Sequence, residues 1–169
     1  MVSKDYSALV SYHPLTGVVS GRVRKCIEEV LYQDYPHPLI IVSGDLNDGP
    51  GMDFFEEFYL LFDSVDVLMG NSFRRDAMLF PVLNQDEFVA KKDQFSCIFD
   101  DYVDQVNNQK AMLDHIFVNE PLRGVTIQAA FAHELWAKYG AECTKRQEYL
   151  SDHRPVFADF AVHALPSPI

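Results

Sequence analysis

The chain has 169 residues, of which 48% are hydrophobic, and a formal net charge of −11. That length and apolar share fit one folded domain with a sizeable core and exclude a disordered chain. The acidic balance argues against tight, non-specific wrapping of nucleic acid, which needs a cationic surface. It leaves room for a phosphorylated substrate, because a bound divalent cation inverts the local charge.

Ser7 to Tyr12 reads as a short strand that ends at His13-Pro14. Val23, Cys26, Ile27, Val30 and Leu31 fall at helical spacing, so an amphipathic helix is expected there, with Arg22, Arg24, Lys25, Glu28 and Glu29 on its wet face. Leu39-Ile40-Ile41-Val42 is a continuous apolar run, the pattern of a strand covered on both faces. A turn-rich stretch, Ser43 to Gly51, follows, and then Asp53 as an N-cap with Glu56 as its capping-box partner, opening a helix over Phe54 to Leu61. Residues 62 to 111 show no clean period and read as loops with short helices or strands. Met112 to Val118, Val125 to Phe131 and Pro155 to Val162 read as strands. His133 to Tyr139 reads as a short helix or an exposed loop. Residues 1–163 form the expected domain and residues 164–169 a frayed tail. The order of elements predicts an α+β fold.

Cys26, Cys97 and Cys143 have neither zinc-ligand nor redox spacing, and read as buried or reduced thiols. The N-terminus has no apolar signal core, and no run approaches the roughly 20 residues of a membrane span. A cytoplasmic protein without a membrane span is expected.

Four polar groups next to apolar runs carry candidate chemistry. Asp45 and Asn47, two apart, point to the same side if the stretch is extended. They are either a metal-binding or proton-accepting acid with an orienting amide, or simply a turn. Asp152-His153 precedes the last strand. As neighbours the two should diverge, Asp152 to a cation and His153 to a phosphate or water, unless they only cap a solvated loop. Asp114 lies beside an apolar strand. It either pairs with a histidine or faces water at the strand end. His115 should point to the opposite face and be structural. His13 closes a strand, as many non-catalytic histidines do. His37, His133 and His163 have no supporting pattern. No Gly-x-Ser-x-Gly or Walker-type motif is present, so metal-assisted attack by water is the chemistry that uses these residues.

In order, Tyr12-His13-Pro14, Gly44-Asp45-Leu46-Asn47-Asp48, Leu113-Asp114-His115-Ile116 and Ser151-Asp152-His153-Arg154-Pro155 resemble the endonuclease/exonuclease/phosphatase superfamily. Each motif is short, but their order is specific. The resemblance implies a four-layer αββα sandwich and hydrolysis of a phosphoester with Mg²⁺ or Mn²⁺. It implies that His13 contacts the phosphate or leaving group. Asp45 would position or deprotonate the attacking water and contribute to the metal site. Asn47 would orient water and phosphate. Asp114 would hydrogen-bond the motif histidine, His153, and Asp152 would be a metal ligand. The family also carries an early Asn and a metal-binding Glu, well before the segment that matches His13. Here His13 is near the start, so the resemblance covers about the C-terminal half of the family domain.

The expectation is therefore a metal-dependent phosphoesterase that is incomplete as this chain, with weak or no turnover alone. A substrate could be a small phosphoester or nucleic acid, and the charge leans toward the former. Two rivals stand beside it. One is a non-catalytic half-domain that covers an exposed apolar face by pairing with itself or a complementing chain. The other is a module that binds a phosphorylated ligand without turnover.

Overall fold

Val23 and Ile27, one helical turn apart, bury against the same core, and the chain from Thr16 winds as helix α1 (Thr16–Cys26). The computed structural model describes residues 16–49, 63–83, 95–101, 106–131, 151–161 and 163. The expected strand before His13, His13 itself, the helix over Phe54 to Leu61, the segment His133 to Tyr139 and the C-terminal tail lie outside the described residues. Helix α1 runs on as a π-helical stretch, Ile27–Leu31, and a last turn, Tyr32–Asp34. The wider π turns rotate the face. Val30, expected on the apolar stripe, is therefore exposed, and Cys26, just before these turns, is exposed too.

Arg24, expected on the wet face, is instead buried. Its guanidinium donates to the carbonyl oxygens of Leu68 (3.4 Å) and Met69 (3.3 Å) and to Glu28 Oε1 (2.7 Å). Those two carbonyls close helix α2 (Ser64–Met69), where carbonyls have no partner within the helix, so a cation there satisfies them. Helix α2 starts at Asp63, whose side chain accepts from Asp66 N at 2.9 Å, and stops at Gly70 with φ +89°. A side chain at Gly70 would meet the Arg24 guanidinium as well as the strained φ. A 3-10 helix (Ser72–Ala77) leads on to the next strand.

Three antiparallel sheets organise the strands. Strand β5 (Asp114–Asn119) is central in the first sheet, with β1 (Ile41–Asp45) on one side and β2 (Leu79–Pro81) on the other. Strand β3 (Cys97–Asp101) pairs with β4 (Val106–Ala111), and β6 (Thr126–Phe131) pairs with β7 (Val156–Phe160). A short helix α3 (Glu120–Arg123) joins β5 to β6. The protein is thus an α+β arrangement of helices on antiparallel sheets. Among the described residues no helix is long and apolar enough to cross a membrane.

Alternation along β5 sorts its side chains into two faces. Phe117 packs with Ile27, Ile40, Val65, Leu68 and Leu79 under the helices. Burying Phe117 alone contributes about 1.5–3 kcal/mol. Asp114 and Ile116 belong to the other face, with Asp45 and Ser43 opposite them in register. The apolar run at residues 39–42, expected to be covered on both faces, is not. Among the described residues β1 is an edge strand, and Leu39 and Ile41 are more than half exposed.

One buried amide locks this register. Asn119 Nδ2 donates to Pro38 O (2.7 Å), and its Oδ1 accepts from Ile40 N (3.2 Å). That clamp fixes the entry of β1 onto β5, and five residues later it brings Asp45 opposite Asp114.

Candidate active site

Asp45 ends β1 and Asp114 begins β5, and the antiparallel register sets them directly opposite each other. Two carboxylates at such positions repel, since facing Cβ atoms lie only about 4.5–5.5 Å apart. A cationic group near them relieves the repulsion. His153 supplies it: its Nδ1 lies 2.7 Å from Asp114 Oδ2. A carboxylate only accepts at neutral pH, so Nδ1 carries the proton and Nε2 is the second titrating nitrogen. On that side Asp152 Oδ1 stands 4.0 Å from Nε2. Asp152 and His153, expected to diverge as chain neighbours, therefore converge on one imidazole.

Partial burial is the largest single influence on the His153 ring and pulls its pKa down. The hydrogen bond to Asp114 and the charges of Asp114, Asp45 and Asp152 together outweigh it and hold the pKa above the usual histidine value of 6.5. The protonated share near neutral pH is enlarged accordingly.

The loop that carries Asp152 and His153 is held by backbone bonds. His153 forms an antiparallel bridge with Cys97, Ile98 N donates to Asp152 O (3.0 Å), and Arg154 N donates to Ser96 O (2.6 Å). Ser96 is the hub. Its Oγ accepts the backbone N–H groups of Leu113 (2.8 Å) and Asp114 (2.9 Å). One serine thus ties the start of β5 to the strand that receives the His153 loop. Arg154 is buried and anchors the loop from below. It donates to Phe95 O (2.9 Å) and stacks over the rings of Phe95 and Phe131, at 4.3 and 5.0 Å from their centroids.

At Asn47 the turn, one of its two readings, is what forms. Its φ of +50° is left-handed, so the chain has already left the extended state and the two-residue alternation with Asp45 is broken. Its backbone N–H donates to Asp45 Oδ1 at 2.8 Å, an Asx turn that fixes the Asp45 carboxylate. The next residue anchors the loop on the far face. His115, 2% exposed, donates Nε2–H to Asp48 O at 2.9 Å, and Asp48 Oδ2 accepts from Ser64 N at 2.7 Å. Burial pushes the His115 pKa down, with weaker opposing influences from Asp48 and Asp114, so this ring is neutral. Strand β5 therefore uses adjacent residues differently: Asp114 for the open site, His115 to pin the loop behind it.

No protein-family model matches the chain, and no curated protein does. Function therefore rests on the site itself.

The structure brings Asp45, Asp114, Asp152 and His153 to one side of the β1–β5 pair. Asn47 adjoins them through its backbone, and His13 is outside the described residues. Four residues that hold the site carried weak sequence signals or none. Ser96 and Cys97 sit in a stretch without periodicity. Asn119 resembles any strand-end amide. Arg154 is a charge just before a strand, which reads as solvated until Phe95 and Phe131 close over it.

The donor set bears on which cation fits. A hard ion such as Mg²⁺ takes oxygen ligands in octahedral geometry. Asp152, whose side chain is 52% exposed, offers carboxylate oxygen open to water, and Asp45 is also exposed. Among the described residues, however, Asp45 joins no cluster of three ligand atoms. Asp152 does, with His153 and Cys97.

Proposed function

We propose that this chain catalyses metal-dependent hydrolysis of a phosphoester, as a member of the endonuclease/exonuclease/phosphatase superfamily, its described layers forming part of an αββα sandwich. The observation that carries the reading is the Asp114–His153 hydrogen bond of 2.7 Å beside the facing carboxylate of Asp45. The antiparallel sheets with helices on one face, and the chain order of the motifs, support the wider family reading.

In this scheme Asp114 fixes the tautomer and orientation of His153. His153, with its raised pKa, presents Nε2–H to a phosphate oxygen and stabilises the charge that develops there. Asp45, its Oδ1 held by the Asn47 N–H, turns its second oxygen to an in-line water and accepts the proton. Asp152 would hold Mg²⁺ or Mn²⁺, which would supply neutralisation of the phosphate charge. Among the described residues Asp152 is the carboxylate that would hold the ion, so low affinity, slow turnover and a need for millimolar metal are expected. The acidic surface favours a small phosphoester over duplex nucleic acid.

The test is release of chromophore from a nitrophenyl phosphodiester and from the matching monoester, with Mg²⁺, with Mn²⁺ and with chelator. Slow turnover that rises with metal and vanishes with chelator is expected. Turnover indifferent to metal, or none above buffer at saturating metal, contradicts the proposal.

A further inference from the structure

We propose that Cys97, Asp152 and His153 form a second kind of metal site, one for a borderline or soft divalent ion of the zinc class, which the hydrolase reading does not need. The backbone makes the site. Cys97 and His153 face each other across an antiparallel bridge, so their side chains leave the same side of the ladder, and the Ile98–Asp152 bond holds the next residue in place. One ligand atom from each of the three residues lies within 4.8 Å of the other two. A point central to three atoms that close is at most about 2.8 Å from each, against zinc bonds of about 2.0–2.3 Å to N, O and S. Side-chain shifts of roughly half an ångström complete the coordination, well within rotamer freedom.

The chemistry of the donors selects the ion. A thiol is a poor ligand for Mg²⁺ and a strong one for Zn²⁺, Co²⁺ or Cd²⁺. His153 is already arranged as a zinc-ligating histidine usually is, with Nδ1–H given to a carboxylate and Nε2 left on the side of Asp152, 4.0 Å from its Oδ1. Asp114 is then the positioning residue for both uses of the ring. Cys97 is buried, whereas Asp152 is exposed and His153 partly so, which leaves the fourth position open toward solvent. Binding forms an S–metal bond from the thiolate and releases the Cys97 proton to solvent. It also occupies Nε2, so the ion and a phosphate oxygen cannot both use His153. That last consequence rests on the hydrolase reading; the site itself does not.

The experiment is Co²⁺ titration of the full chain at about pH 8, read by absorbance. Cys26 and Cys143 are replaced by serine so that Cys97 is the sole thiol. A stoichiometric thiolate-to-cobalt charge-transfer band in the near ultraviolet is expected, displaced by one equivalent of Zn²⁺. Cys97→Ser should abolish the band, His153→Ala should weaken binding at least as much as Asp114→Asn, and Asp114→Asn should weaken it about 10–100-fold. Circular dichroism establishes that each variant is folded, and the His153 and Asp114 variants keep the test independent of Cys97→Ser. No band in the folded protein, or a band indifferent to His153→Ala, overturns the proposal. Failure of phosphoester turnover leaves this result standing, and the reverse holds too.

Discussion

Replacing Asp114 with Asn keeps the shape of the site and removes one charge, and its effect on stability should depend on pH in a defined direction. The side chain of Asp114 is 24% exposed and that of His153 29%, so their 2.7 Å bond is only partly screened. A bond to a charged partner contributes about 1.5–3 kcal/mol and a neutral one about 0.5–1.5 kcal/mol. The difference, about 1–1.5 kcal/mol, is what Asn forfeits while the ring is protonated. The folded pKa of His153 is raised above 6.5, so this stabilisation is fully present below that value and is lost as pH rises through the folded pKa. Above it, the facing Asp45 carboxylate is relieved of its like-charged neighbour in the variant, which offsets the weaker bond. Urea unfolding at about pH 5.5 should therefore show Asp114→Asn destabilised by about 1–1.5 kcal/mol, a midpoint shift of roughly 0.5–1 M. At about pH 9 the two proteins should unfold together. An equal loss at both pH values would refute the charge-assisted pair.

Gly70→Ala should cost about 1–3 kcal/mol in chemical denaturation, because it combines a φ of +89° with the approach of the Arg24 guanidinium. Asn119→Ala removes both polar ends of the clamp on β1 and should destabilise by about 1–3 kcal/mol, with faster amide exchange at Ile40 if the register account is right. His115 carries the opposite pH sign to His153. Its burial-depressed pKa makes its neutral form's contribution complete above 6.5 and lost as pH falls toward the folded value, so the stability advantage of wild type over His115→Phe should shrink on acidification below about pH 6.5. Ser96→Ala should lower thermal stability and weaken the His153–Asp114 contact, visible as altered ring chemical shifts, since its hydroxyl holds both Leu113 and Asp114.

The strands β5, β6 and β7 were legible because apolar runs bounded by turn residues mark them; β1 was legible in part, since its last residues, Ser43 to Asp45, read as a turn. The helix near Val23 was legible because its spacing is regular. Its wet face was misread at Arg24. Charge predicts exposure only until a buried helix end needs a donor, and the carbonyls of Leu68 and Met69 lie more than forty residues away in sequence. The π turns moved Val30 outward for a similar reason: ideal spacing assumes an ideal helix. Asp45, Asp114, Asp152 and His153 were each nameable as candidates, since acids and histidines beside apolar strands are few. Their geometry was not. Adjacent residues diverge in an extended strand, yet a bend at Asp152 folds its carboxylate toward His153. Of the two readings open for Asn47, an extended residue beside Asp45 or a turn, the backbone takes the turn. Cys97 had no signal at all, because its partner in the bridge lies 56 residues on.

The central claim is that His153, oriented by Asp114, acts on a phosphoester. Single-turnover hydrolysis of a nitrophenyl phosphodiester at saturating Mg²⁺, wild type against His153→Ala, tests it most directly. Loss of a positioned proton-transfer group should lower the rate about 10²–10⁴-fold or to the buffer level, with the variant folded and its Mg²⁺ affinity little changed. A His153→Ala protein that hydrolyses the ester as fast as wild type would contradict the account.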